Sequence, residues 1–267
     1  MRNAKNLLLN YTRQQIASFM FQLKHKTAEQ HFTRESPLGF ERVALIILNL
    51  VKKSAKVELM NFFHQADKAL ETPSRQAFTQ AREKISFLAI KDFFEKSCEL
   101  AVNSDGAKLY NGYRLFAIDG TSFIVGKLNK LASYFGESTS VKGSAMCRIS
   151  GVIDIMNDCI VDALVSPFSV GERALAISQV KQLSPVSNAL FLFDRGYWSP
   201  ELVAAIITNG QKFLMRLASN VGESSVSIDG LRKYSFSLPS GKTEILLTNL
   251  TAEEMPDDEL AYLYGSG

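Results

Sequence analysis

The stretch Ala189-Leu190-Phe191-Leu192-Phe193-Asp194-Arg195-Gly196-Tyr197 decides the fold. Its five consecutive apolar residues lack the polar alternation of a half-exposed strand. They mark a strand covered on both faces, the position of a central strand in an α/β layer. The run breaks at an acid, and Ser199-Pro200-Glu201 then opens a helix, with Ser as N-cap, Pro at the first helical position and an acid in the first turn. Gly210 closes that helix, and Lys212 to Leu217 reads as the next strand.

Working upstream, Glu172 to Gln182 has helical character. Cys147 to Met156 and Cys159 to Val165 flank Asn157-Asp158 and read as a β-hairpin. Tyr113 to Ile118 is a strand that ends at Asp119-Gly120-Thr121. Downstream, Val226 to Leu247 contains short β-like pieces, with Gly230, Pro239 and Gly241 as turns. Three strands, a helix, a strand, a helix and a strand make a mixed α/β layer.

The first 110 residues read differently. Phe40 to Lys53 is apolar enough for a buried helix, and Ser54 precedes an amphipathic stretch from Val57 to Phe63. Thr72-Pro73-Ser74 is a breaker with a capping signal, after which Arg75 to Phe87 reads as a further helix. This part carries 17 Lys and Arg against 11 Asp and Glu, whereas residues 111–267 carry 13 against 16. Short helices with a basic balance suit a small DNA-binding region, and an acidic back half suits a metal site. Arg34, Lys52, Lys53, Lys56, Arg75, Arg82 and Lys84 are the candidates for phosphate contact. A solvated helix face is the plainer account of any one of them.

Composition excludes other classes. With 46% hydrophobic and 21% charged residues, the 267-residue chain is a globular protein, long enough for one large domain or two small ones. The longest apolar run, Val43 to Val51, falls well short of the roughly 20 residues of a membrane helix, and no signal peptide is legible in Met1 to Asn10. Cys98, Cys147 and Cys159 show neither a CxxC nor a nearby His, which argues for reduced thiols in a cytoplasmic protein and against a zinc site.

Asp119 and Asp194 stand out by position, each following an apolar strand and preceding a turn. Strand ends are where ligands collect in open α/β sheets, and two carboxylates there supply hard oxygens for Mg²⁺. An Asp after a strand is also an ordinary turn former; the matched contexts of the two bring the metal reading level with that one. Ala117-Ile118-Asp119-Gly120-Thr121 is also similar to the nucleophile loop of haloacid-dehalogenase-type phosphatases, D-x-D-G-T. Ala117 stands where that loop has its nucleophile, so a small-molecule phosphatase is disfavoured. His25, His31 and His64 all lie in the helical part, away from these acids. Trp198 beside Tyr197 is either a stacking platform for a base or part of the core.

Nearly the whole chain resembles a DDE transposase of a bacterial insertion sequence, of the insertion-sequence-four class. The likeness rests on His31-Phe32-Thr33-Arg34 and Gln76-Ala77-Phe78, then on the two Asp motifs. Asp194-Arg195-Gly196-Tyr197 is the most specific of these, and Leu246-Leu247-Thr248-Asn249-Leu250 resembles the segment before the last catalytic helix. The resemblance implies an RNase H-like mixed sheet over residues 111–267 with a β-rich insertion at about 218–247, preceded by an all-α DNA-binding region over 1–110. It implies that Asp119 and Asp194 are catalytic and bind Mg²⁺ or Mn²⁺, and that Arg195, Tyr197 and Trp198 join the DNA-binding set. Its implied partners are double-stranded transposon ends and target DNA, with a homodimer as the assembly, no membrane, and a cytoplasmic, nucleoid-associated setting.

The family pattern near its end is Y-x2-R-x3-E-x6-K. Tyr264 fits the Tyr, the Arg position falls on Gly267, and the catalytic Glu falls beyond it. Ala252 to Glu259 reads as an acidic turn, with the helix beginning at Leu260, and Gly265-Ser266-Gly267 as a linker. Glu253, Glu254 and Glu259 are the other acids nearby, and their place at a turn suits helix-start charges better than metal ligands. The expectation is a truncated transposase that binds DNA and cuts weakly or not at all. The alternative is a non-catalytic DNA-binding remnant that competes for transposon ends.

Overall fold

The computed structural model describes residues 2–49, 54–66, 71–138, 140–218, 229–238 and 241–265. Two compact units divide the chain, Met1–Leu100 and Ala101–Gly267. No described helix is long and apolar enough to cross a membrane.

In the first unit the helices are α1 (Arg2–Ala17), α2 (Phe19–His25), α3 (Phe40–Leu48), α4 (Ala55–Ala66), α5 (Arg75–Arg82) and most of α6 (Phe87–Val102). Phe21, Phe40, Val43, Ile46, Leu59, Phe63, Phe78 and Phe93 share its core. Ser18 and Ser74 cap α2 and α5 by accepting the N–H of Phe21 and Ala77. The helix expected over Arg75–Phe87 stops at Arg82. There, Ile85 pairs with Lys26 in a β-bridge, Thr27 N–H donates to Lys84 O, and Ser86 N–H donates to His25 O. A new helix starts at Phe87. His25 is buried with its Nε2 3.0 Å from Asp92 Oδ2, outside hydrogen-bond alignment, and burial lowers its pKa.

The second unit is built on one sheet. Its elements are β1 (Arg114–Gly126), α7 (Asn129–Phe135), β2 (Ala145–Asp154), β3 (Cys159–Pro167), α8 (Glu172–Gln182), β4 (Ala189–Phe193), α9 (Pro200–Thr208), β5 (Lys212–Leu217), β6 (Arg232–Ser237), β7 (Thr243–Thr248) and α10 (Asp257–Gly265). Among the described residues the strand order is β3-β2-β1-β4-β5-β7-β6. Strands β1, β4 and β5 are parallel, and the rest pair antiparallel. The first five of these positions, with a hairpin feeding a parallel core, make the RNase H-like arrangement expected from the sequence. From the stretch expected as a β-rich insertion, β6 and β7 extend the same sheet, and residues 219–228 and 239–240 of it lie outside the described residues.

All five residues of β4 are buried because both faces are covered. Ala189, Phe191 and Phe193 pack with Ala176 and Val180 of α8 and with Leu202, Val203 and Ile206 of α9. Leu190 and Leu192 pack on the opposite face with Leu115, Leu214, Leu246, Leu250, Met255 and Leu260, the face covered by α10. Ser199 accepts the N–H of Leu202 at 3.1 Å, as its N-cap position predicts.

Two boundaries differ from the sequence reading. β1 does not end at Ile118 but runs to Gly126, because β2 pairs with it along its whole length. Its pairing with β4 ends at Ala117–Leu192. Helix α10 begins at Asp257 and includes Gly265, so Leu260 is one turn inside it rather than its start, and Gly265 is helical rather than linker.

Candidate active site

Asp119 and Asp194 are each two residues past the last β1–β4 pair, Ala117–Leu192, so they occupy the same step on adjoining parallel strands. Neighbouring strands lie about 4.8 Å apart, which brings the two acids together. Side chains alternate along a strand. Asp119 therefore shares the face of Leu115, and Asp194 the face of Leu192, both lined by the cluster under α10. Asp119 is exposed, with one oxygen accepting Gly120 N–H at 2.8 Å. The Asp194 side chain is 70% exposed, and among the described residues Arg216 pairs with it at 3.8 Å.

The same face carries two residues that the sequence reading missed. Arg216 stands two positions after Leu214 on β5, and Glu244 two before Leu246 on β7. Glu244 is only 2% exposed and accepts from two guanidinium groups. Arg195 Nη2 donates to its oxygens at 2.5 and 2.6 Å, while Arg216 approaches at 3.0 and 3.3 Å. Burial works against its charge, yet these hydrogen bonds hold Glu244 below the ordinary carboxylate range, and Glu244 in turn holds Arg216 charged. The guanidinium of Arg216 lies 5.7 Å from the ring centroid of Tyr264, whose hydroxyl bonds Phe193 O at 2.8 Å and Leu214 O at 2.9 Å. A charge interrupting an apolar strand, as in Lys212-Phe-Leu-Met-Arg-Leu, was the signal available in the sequence.

The other sheet face supports the site from behind. A Cβ on Gly120 would lie 3.0 Å from Glu172 Cγ and 3.4 Å from Tyr197 Oη, so a larger residue there would push Glu172 aside. Glu172 pairs with Arg148 at 3.3 Å, and Arg173 Nε donates to Gly196 O at 2.9 Å, tying the start of α8 to the Asp194 turn. Tyr197 is 3% exposed, and its hydroxyl has no hydrogen-bond partner among the described residues. Burial, reinforced by Glu172 and Asp119, drives its pKa up.

Several sequence candidates land elsewhere. Tyr197 belongs to the core and cannot stack on a base, because α9 and the sheet enclose its ring. Trp198 is half-buried against the same core. Arg195 is committed to Glu244. Arg34, Lys56, Arg75 and Arg82 are exposed in the first unit and Lys84 is half-buried there, while Lys52 and Lys53 lie outside the described residues. Glu254 and Glu259 sit at the other end of the sheet, where Glu254 pairs with Lys212 at 2.6 Å and Glu259 accepts the hydroxyl of Tyr110.

The Asp119–Asp194 pair fits a hard divalent cation. Both carboxylates are open to solvent, and Mg²⁺ is usually held by one or two carboxylates, with water and phosphate oxygens completing its shell. Among the described residues no three His, Cys, Asp or Glu side chains converge as a metal-binding group.

The two acids thus stand just past the point where the parallel pairing of β1 with β4 ends, on a mixed sheet. The family described as "Transposase DDE domain" matches residues 110–265, and the chain belongs to that family. InsZ of Escherichia coli (strain K12), named as a transposase, is 25% identical over 163 residues, covering 58% of this chain and 52% of InsZ. The chain thus spans about half the length of that curated relative. Among solved structures, the piggyBac transposase in a synaptic complex with hairpin DNA superposes with a TM-score of 0.56 at 10% identity. That match covers 96% of this chain and 65% of the piggyBac chain, and it shows the fold.

Proposed function

We propose that this chain acts at the ends of a bacterial insertion sequence of the insertion-sequence-four class, through cleavage and joining of DNA strands. The observation that carries this reading is the placement of Asp119 and Asp194 at one step of adjoining parallel strands, with open carboxylates. Family membership supplies the transposase chemistry.

In this reading Asp119 and Asp194 hold Mg²⁺ or Mn²⁺. A cation held by these two carboxylates would supply Lewis-acid chemistry, activation of water and screening of charge on the phosphodiester. Gly120 N–H donates to the Asp119 carboxylate within β1, which orients it on a strand that β2 braces from Phe116 to Gly126. Arg195 and Arg216 keep a positive field beside the acids, which suits an anionic backbone. The exposed cations of the first unit, Arg34, Lys56, Arg75 and Arg82, supply sequence-independent phosphate contacts. Two copies of the chain act together, one on each transposon end.

The expected test is Mg²⁺- or Mn²⁺-dependent nicking of terminal-repeat DNA, lost in Asp119→Ala and in Asp194→Ala. Nicking that persists in both variants overturns the assignment.

A second reading, a DNA-binding protein that competes for transposon ends without cutting, is favoured by one observation. Three acids around the start of α10 are engaged elsewhere: Glu254 with Lys212, Asp257 with Arg232 and Glu259 with Tyr110. A salt-sensitive gel shift on terminal repeats, with no cleavage in either metal, selects it.

A further inference from the structure

Arg216 stands between two acids. It lies 3.0 Å from Glu244 and 3.8 Å from Asp194, and the nearer acid holds it. Glu244 cannot withdraw, because β7 is bracketed by β5 and β6 and the side chain is buried. Its two oxygens are filled by Arg195 and Arg216 together. On the α10 side, the Tyr264 ring lies beside the same guanidinium, and its hydroxyl anchors to the backbone of β4 and β5. Asp194 is left as the more exposed carboxylate, with only a long contact to Arg216.

We propose that Glu244 is a positioning residue: by holding Arg195 and Arg216, it keeps Arg216 from closing on Asp194 and leaves that carboxylate open to a divalent cation. This rests on the reading of Asp119 and Asp194 as the cation site. Without the charge of Glu244, the Arg216 guanidinium faces Asp194 with no buried counter-ion. A guanidinium then takes the carboxylate as a charge-assisted, two-pronged pair. A cation must displace that pair before it binds. Because the Arg195 and Arg216 side chains are 33% and 26% exposed, both can recover water when Glu244 is neutralised, and the sheet is expected to fold.

The test is Mn²⁺ binding to the full chain, followed by electron paramagnetic resonance of the free ion. Glu244→Gln is expected to weaken binding on the order of tenfold, as removal of a group that orients a ligand typically does. Adding Arg216→Met to Glu244→Gln is expected to restore wild-type binding, since the competitor is gone. A purely structural role for Glu244 would leave the double variant as weak as the single one, and that result overturns the proposal. Wild-type affinity in Glu244→Gln, while Asp194→Asn binds poorly, also overturns it without touching the cation site. If Asp119→Asn and Asp194→Asn both bind like wild type, the site assignment fails, and the proposal with it. Should Glu244→Gln not fold, the double variant decides alone: wild-type binding supports the proposal, and a loss matching Asp194→Asn overturns it.

Discussion

The two ends of the central sheet carry similar residue types and treat them in opposite ways. Where β1 and β5 begin, acids and cations are paired. Arg114 Nε meets Asp154 at 2.6 Å with both side chains buried, and its other nitrogens donate to Ala101 O and Val102 O. Glu254 takes Lys212, Tyr113 and the N–H of Thr251. Where β1 and β4 part, Asp119 and Asp194 remain open to solvent. Glu244, set back from them, is fully engaged. Pairing at one end serves stability, since a buried charge needs its partner. Open carboxylates at the other end contribute little to stability and keep their lone pairs for a ligand.

That contrast predicts a gradient of destabilisation along the sheet. The lone tryptophan, Trp198, packs against the sheet core and reports it by fluorescence in urea. Asp154→Ala, which strands the buried guanidinium of Arg114, is expected to cost about 3–5 kcal/mol. A cost below about 1 kcal/mol would break the contrast, since the pair would then not matter. Tyr264→Phe removes a hydroxyl bonded to Phe193 O and Leu214 O, and is expected to cost about 1 kcal/mol.

Glu254→Gln is expected to cost about 0.5–1 kcal/mol at neutral pH, because its ion pair is partly exposed. Burial raises the pKa of Glu254, but the Lys212 hydrogen bond and charge win and hold it below its ordinary value of 4.5. A lowered folded pKa means that the contribution is present above the unfolded value and is lost as pH falls through the folded one. The difference between wild type and Glu254→Gln is therefore expected to fade as pH falls through that lowered value, and a difference that grows on acidification contradicts the assignment.

At the bottom of the scale, Asp119→Asn and Asp194→Asn are expected to change stability by no more than about 0.5 kcal/mol. The same variants are expected to abolish cation-dependent nicking. A large stability loss in either would place these acids with the paired set and erase the difference between the two ends.

Much of the sheet was legible because its signals are local. The apolar run of β4, the Ser-Pro-Glu start of α9 and the turn at Asn157-Asp158 each act over a few residues. Boundaries failed where a distant partner decides them. β1 extends past Asp119 because β2 pairs with it, and α5 stops at Arg82 because Lys26 and Ile85 bridge. The two site acids were visible as residues following strands, whereas Arg216 and Glu244 were not. Their role depends on a contact between β5 and β7, and no spacing within either strand encodes it. The aromatic pair misled for the same reason: Tyr197 looks like an available ring until α9 and the sheet close over it.

The sequence alone determined a helical front part, a mixed α/β layer behind it, and two acids in matching places after apolar strands, because hydrophobic period and turn chemistry are properties of the local chain. Only the tertiary structure decided that these acids share one step and one face, that Glu254 and Glu259 belong to the other end, and that Glu244 holds the arginines beside Asp194. Those facts depend on which strands adjoin and in what register, and long-range burial sets both.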